Sequence, residues 1–165
     1  MSIPAPYECF EGEVLPEWID YNGHMNLAYY TVLFDYATDL LFDELGLGLD
    51  YRRATRKGTF VAETHNLYER ELLVGARVRV ATQIVGADTK RLHLAHAMFA
   101  LDGGPNGGQR AATQELMFLH VDLALRRVSP FPEDLRRRVA ACAAAHAALP
   151  RPDWVGRRIA MPGGG

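Results

Sequence analysis

Asn26-Leu27-Ala28-Tyr29-Tyr30-Thr31-Val32-Leu33-Phe34-Asp35-Tyr36-Ala37-Thr38-Asp39-Leu40-Leu41-Phe42-Asp43-Glu44-Leu45 contains neither proline nor glycine. Its apolar residues recur with helical spacing: Leu27, Tyr30, Phe34, Ala37, Leu41 and Leu45 fall on one face, and Tyr29, Leu33, Tyr36 and Leu40 form a second row beside it. Only Thr31, Asp35, Asp39 and Asp43 make a polar stripe. A helix apolar around most of its circumference needs cover on more than one side, so this one is expected to be central. Asn26 suits the N-cap, and Gly46 stands where a left-handed C-terminal cap belongs.

Upstream, Tyr7 to Trp18 reads as an irregular first strand, interrupted by Gly12 and Pro16, that leads into the turn Asp20-Tyr21-Asn22-Gly23-His24. Downstream, a basic loop from Tyr51 to Lys57 precedes four segments of strand character. They span about 59–73, 77–85, 91–101 and 110–123. Asp102 to Gly108, rich in glycine, reads as the hairpin loop between the last two. Pro130 and Pro132 end the strands, and Glu133 to Leu149 reads as a C-terminal helix. The expectation is an α+β fold, a five-stranded antiparallel sheet wrapped around one long helix, because each needs the other for cover. Residues 1–150 form one domain, and 151–165 a loosely held tail.

Composition narrows the function classes. The chain has 165 residues, 48% apolar and 23% charged, and a formal net charge of -2, which fits one folded domain and argues against disorder. A pI near 6.3 gives no electrostatic footprint for nucleic acid. No apolar run approaches the roughly 20 residues that span a bilayer, and the start lacks a signal-peptide core, so a cytoplasmic protein away from membranes is expected. Cys9 and Cys142 have neither metal nor disulfide spacing and read as reduced, buried residues.

Polar side chains concentrate in Trp18-Ile19-Asp20-Tyr21-Asn22-Gly23-His24-Met25-Asn26, where strand gives way to helix. The first turn of a helix has unpaired N–H groups and the positive end of the dipole, which stabilise a carbonyl oxygen as it gains charge. Asp20 precedes that turn, and Gly23 permits close approach of a substrate. An oxyanion hole and a carboxylate are what acyl transfer to water requires. The same residues also serve as ordinary turn formers.

Asp20, Gly23, His24, Met25, Asn26 and Tyr29 are similar to the D-x-x-G-H-[MV]-N-x-x-Y signature of hotdog-fold acyl-CoA thioesterases related to 4-hydroxybenzoyl-CoA thioesterase. The stretch Pro16 to Asn26, with Glu63-Thr64-His65, Lys90-Arg91-Leu92-His93 and Leu119-His120-Val121-Asp122, resembles the betainyl-CoA thioesterases of carnitine breakdown more closely. Two positions depart from the broader family: Trp18 holds the first place of a common D-x-D pair, and Leu27 replaces the second residue of a common N-N.

The resemblance implies hydrolysis of a short acyl-CoA, with Asp20 as nucleophile or as general base for water. It also implies a homodimer or dimer of dimers with active sites between subunits. Asp20, Gly23, His24, Asn26 and Glu63 are the expected catalytic set. Trp18, Tyr21, Tyr29, His65, Lys90 and Arg91 are expected to bind substrate, the last two through the coenzyme A phosphates.

Parity on a strand puts Glu63 and His65 on one face with Val61 and Leu67, either at the site or on a solvated surface. His93 and His96, three apart, face opposite ways and cannot share an ion. No metal and no redox cofactor is expected. His120 reads as a satisfied core or interface group, and Thr113 and Glu115 as site-lining or merely exposed. Arg126 and Arg127 are further candidates for phosphates. A trimethylammonium acyl chain would suit the rings of Trp18, Tyr21, Tyr29 and Tyr30. The rival readings are a hotdog enoyl-CoA hydratase, whose Asp and His stand five apart rather than four, and a non-catalytic acyl-CoA-binding module.

Overall fold

A computed structural model describes residues 3–101 and 107–161. Asn26 starts the helix as its sequence position suggests: it keeps an extended backbone, and its side-chain oxygen accepts the Ala28 amide at 3.0 Å. Helix α1 covers Leu27–Leu45. Gly46 ends it at φ 77°, a left-handed conformation that suits glycine, and donates its N–H to the Asp43 carbonyl.

Around α1 curls one antiparallel sheet. Its strands are β1 (Tyr7–Glu13), β2 (Lys57–Tyr68), β3 (Arg77–Ala87), β4 (Arg91–Ala100), β5 (Arg110–Asp122) and the two-residue β6 (Arg127–Val128). The order is β1-β3-β4-β5-β2, with β6 paired to β5. The five main strands match the sequence reading; β6 is too short to leave a periodic trace. Helix α2, Leu49–Thr55, a short piece with no buried residue, runs into the segment expected as a basic loop. Helix α3 runs Glu133–His146, three residues shorter than expected. The expected 102–108 hairpin loop lies largely outside the described residues.

One side of α1 supplies the core. Tyr30, Leu33, Phe34, Ala37, Leu41, Phe42 and Leu45 are buried against Val78, Val80, Ile84, Leu94, Met98, Leu116 and Phe118 of the sheet. Each large side chain fully removed from water contributes about 1.5–3 kcal/mol. The opposite side is uncovered within the chain: Leu27, Tyr36 and Leu40 are exposed. The sheet therefore covers the first apolar row from Tyr30 onward but not Leu27, and of the second row only Leu33 is fully buried.

His96 stitches helix to sheet between the two halves of this core. The Thr38 hydroxyl donates to the Phe34 carbonyl, so it accepts from His96 Nε2–H at 2.9 Å. His96 Nδ1 is then the acceptor for the Thr82 hydroxyl at 2.8 Å. Complete burial pushes the imidazole down to about 3, and it is neutral at physiological pH.

Two expectations about faces are corrected. Cys9 is exposed, because β1 is an edge strand with one wet side; only Cys142 is buried. A bulge at Ala62 breaks the alternation of β2: Val61 opposes Phe118, whereas Glu63 opposes Met117, so Val61 lies on the helix side and Glu63 on the outer side.

Candidate active site

After a 3-10 turn at Pro16–Trp18 the chain doubles back on itself. Ile19 and Met25 form an antiparallel bridge, the Asp20 amide donates to the His24 carbonyl at 3.1 Å, and the Gly23 amide to the Asp20 carbonyl at 2.9 Å. Gly23 takes φ +84°, which closes this tight turn without the strain an L side chain would bring. The Asn22 amide donates to Asp20 Oδ1 at 2.8 Å, and Asn26 Nδ2 reaches Asp20 Oδ2 at 3.4 Å. Further hydrogen bonds, Asn26 N–H to the Trp18 carbonyl and Met25 N–H to the Leu72 carbonyl, fix the loop to its surroundings. Local sequence thus holds one carboxylate beside the first turn of α1.

Within that turn, Ala28 N–H is taken by the Asn26 side chain and Tyr29 N–H by the Asn26 carbonyl. The hydrogen bonds among the described residues leave Leu27 N–H unclaimed at the exposed helix end.

Asp20 opens into a cleft of about 360 Å³. Asn22, His24, Met25, Leu27 and Tyr30 make one wall; Tyr68, the last residue of β2, and Glu69, Arg70 and Glu71 after it make the other. His24 Nδ1 stands 3.4 Å from the Met25 carbonyl. The Tyr30 hydroxyl donates to the Arg70 carbonyl at 3.1 Å, joining the two walls. Burial, with smaller effects from Glu71 and Tyr68, pushes the Tyr30 phenol up to about 12. Tyr68 meets Tyr30 edge-on with centroids 5.3 Å apart, and its hydroxyl accepts from Asn66 Nδ2 at 3.2 Å. Glu69 forms a two-pronged pair with Arg110, both contacts 2.7 Å, which holds its carboxyl below the usual range. Two larger hollows, about 460 and 470 Å³, flank Phe60, and neither includes Asp20.

The structure brings Asp20, Gly23, His24 and Asn26 together and leaves the other expected residues elsewhere. Trp18 stacks on Tyr29 at 5.1 Å, so each ring occupies a face of the other, and Tyr21 is 98% exposed at the tip of the turn. Glu63 and His65 stand on the outer face of the sheet, opposite Met117 and Glu115. Lys90 and Arg91 occupy the β3–β4 turn at the far end of the sheet, where Arg91 pairs with Asp88 at 2.6 Å.

His93 and His96 do face opposite ways. His93 meets Glu115 at 2.7 Å on the outer face. His120 is satisfied: Nδ1–H donates to the Ser129 carbonyl at 2.9 Å, and Nε2 accepts from Tyr51 at 2.8 Å. Glu115 also receives the Gly156 amide at 2.7 Å, and Arg110 lies 4.5 Å from the Trp154 ring, so the tail beyond Pro150 is pinned at two points. Thr113 shares that outer face and is fully buried.

Sequence reasoning missed Tyr68, Glu69, Arg70 and Glu71 because it ran the strand on to Leu73. The end of alternation in Tyr68-Glu69-Arg70-Glu71 was the available signal.

An antiparallel sheet curled on one long helix is the hotdog arrangement, and the relatives of this chain make it an acyl-CoA thioesterase. The chain belongs to the thioesterase-like superfamily, whose family model matches residues 14–139. It is 46% identical over 153 residues to the betainyl-CoA thioesterase of Pseudomonas aeruginosa, covering 93% of this chain and 94% of that one. It is 39% identical over 132 residues to the L-carnitine dehydrogenase/betainyl-CoA thioesterase of Agrobacterium fabrum, covering 80% of this chain and 26% of that longer protein. Among solved structures, a Staphylococcus aureus protein in complex with CoA superposes with a TM-score of 0.85 at 28% identity, covering 98% of this chain and 100% of that one.

Proposed function

We propose that the chain hydrolyses betainyl-CoA to betaine and coenzyme A. The observation that carries this reading is Asp20, fixed by Asn22 and Asn26 in a cleft that Leu27, the first residue of α1, also lines. Likeness to betainyl-CoA thioesterase over nearly the whole chain supplies the acyl group.

In this reading the thioester carbonyl oxygen rests on Leu27 N–H and the positive end of α1, which favour the negative charge of the tetrahedral intermediate. Asp20 either attacks the carbonyl carbon, giving a mixed anhydride that water then hydrolyses, or draws the proton from an attacking water; in both routes the C–S bond breaks and coenzyme A leaves as the thiolate. Asn26 holds the carboxylate toward the helix end. Neither route calls for a metal or redox cofactor. A coenzyme A thioester is an intracellular metabolite, so the working compartment is the cytoplasm.

The same reading includes a homodimer joined through β2. Among the described residues both sheet edges, β1 and β2, lack a further strand partner, but they differ. Edge β1 carries Glu8, Glu11 and Glu13, charges that discourage strand addition, whereas edge β2 presents exposed Phe60, Val61 and Ala62. Antiparallel pairing of two β2 strands sets the Lys57 end of each beside the Tyr68 end of the other. The basic residues at the Lys57 end, Lys90, Arg126 and Arg127 among them, then come near the second subunit's cleft and suit coenzyme A phosphates.

The test is thiol release from betainyl-CoA, acetyl-CoA and isovaleryl-CoA at matched concentrations. Betainyl-CoA is expected to have the highest kcat/KM; a higher value for either neutral ester overturns the substrate assignment.

A further inference from the structure

We propose that Tyr68 is the specificity-determining residue for a cationic acyl group, with Glu71 as the carboxylate that faces the same charge. The inference rests on the betainyl-CoA reading and goes further by naming the receptor inside the cleft.

A trimethylammonium group has no N–H to donate, so only ring faces and negative charge can recognise it. Of the rings that the sequence offered, Trp18 and Tyr29 stack on each other and do not line the Asp20 cleft, and Tyr21 stands in open solvent. Two rings line the Asp20 cleft, Tyr30 and Tyr68. Tyr30 is 3% exposed and pinned through its hydroxyl to Arg70, whereas Tyr68 is 46% exposed, and its ring is the one open to a ligand.

The Tyr68 ring is also held in place before any ligand arrives. Tyr30 packs against it edge-on, and its hydroxyl is fixed by Asn66, which in turn donates to Thr31 of α1 at 3.1 Å. A preset ring binds without the entropic cost of ordering it.

Charge points the same way. The cleft lining carries the carboxylates of Asp20, Glu69 and Glu71 against the guanidinium of Arg70. Glu69 is paired with Arg110, and Glu71 lines the cleft together with Tyr68 and Tyr30. Its charge is felt at the Tyr30 phenol. A cation in this space is stabilised, and a neutral acyl group of equal size gains nothing from these groups.

The experiment is the ratio of kcat/KM for betainyl-CoA to that for its uncharged isostere 3,3-dimethylbutanoyl-CoA, measured on wild type, Tyr68→Leu, Tyr68→Phe and Glu71→Gln. Circular dichroism checks that each variant is folded. The wild-type ratio is expected to exceed about 10, the Leu variant to lose most of it, the Phe variant to keep it, and the Gln variant to fall between. A high wild-type ratio that survives in Tyr68→Leu, or that is lost equally in Tyr68→Phe, overturns the role of the ring and leaves the substrate reading standing. A wild-type ratio near 1 overturns both.

Discussion

Asn26 couples the start of α1 to Asp20: its Oδ1 accepts the Ala28 amide at 3.0 Å, while its Nδ2 points at Asp20 Oδ2 from 3.4 Å. One short side chain thus caps the helix and reaches the carboxylate beside that helix end. Few local arrangements tie stability and activity so directly.

Asn26→Ala is expected to cost about 1 kcal/mol of stability through the lost cap. It is also expected to lower kcat more than it raises KM, because Asp20 loses its guide while the cleft walls stay. Asn26→Asp keeps an N-cap but sets a second negative charge against Asp20, so it should restore stability and leave turnover low. Urea unfolding together with steady-state kinetics separates the two effects; recovery of full turnover in Asn26→Asp would contradict the orienting role.

The three buried histidines make the fold sensitive to mild acid. Burial lowers His96 to about 3, and His120 and His146 are also lowered, chiefly by burial. In the unfolded chain each takes a proton near pH 6.5, so stability is complete above that value and falls as pH drops toward the folded pKa. His96 alone accounts for about 2 kcal/mol between pH 7.5 and pH 5, a window above the carboxylate range. Urea midpoints that do not move between those two pH values would contradict neutral burial of His96.

The exposed apolar edge of β2 gives a test of assembly. Light scattering at micromolar concentration should report twice the chain mass of 18.4 kDa for wild type. Phe60→Lys combined with Ala62→Lys should shift it to the monomer and remove most turnover. A wild-type monomer that is fully active would contradict the dimer and any site shared across it.

The helix and its caps were legible because Asn26 to Leu45 carries one unbroken period, and the main strands because each ends at a turn signal. Helix α2 escaped notice: Leu49–Thr55 is only seven residues long and has none buried, so no apolar period marks it. The clustering of Asp20 with Gly23, His24 and Asn26 could be read because all four lie within seven residues and their bonds are local.

The opposite wall could not be read in the same way. Tyr68 to Glu71 reach Asp20 through the curl of the sheet and long-range hydrogen bonds, Tyr30 to Arg70 and Met25 to Leu72, each forty residues or more apart in sequence. Glu63 was misjudged against Val61 for a related reason: one extra residue at Ala62 reverses parity, and a bulge leaves no mark in a string of strand formers.

Asp20→Asn tests the central claim most directly. The substitution keeps size and turn propensity, so circular dichroism and the urea midpoint should match wild type. Turnover of betainyl-CoA should fall at least about 100-fold, since the oxygen that attacks or takes the proton is gone. A folded Asp20→Asn protein that retains turnover within about threefold of wild type would contradict the account, because a positioned base or nucleophile contributes far more than that.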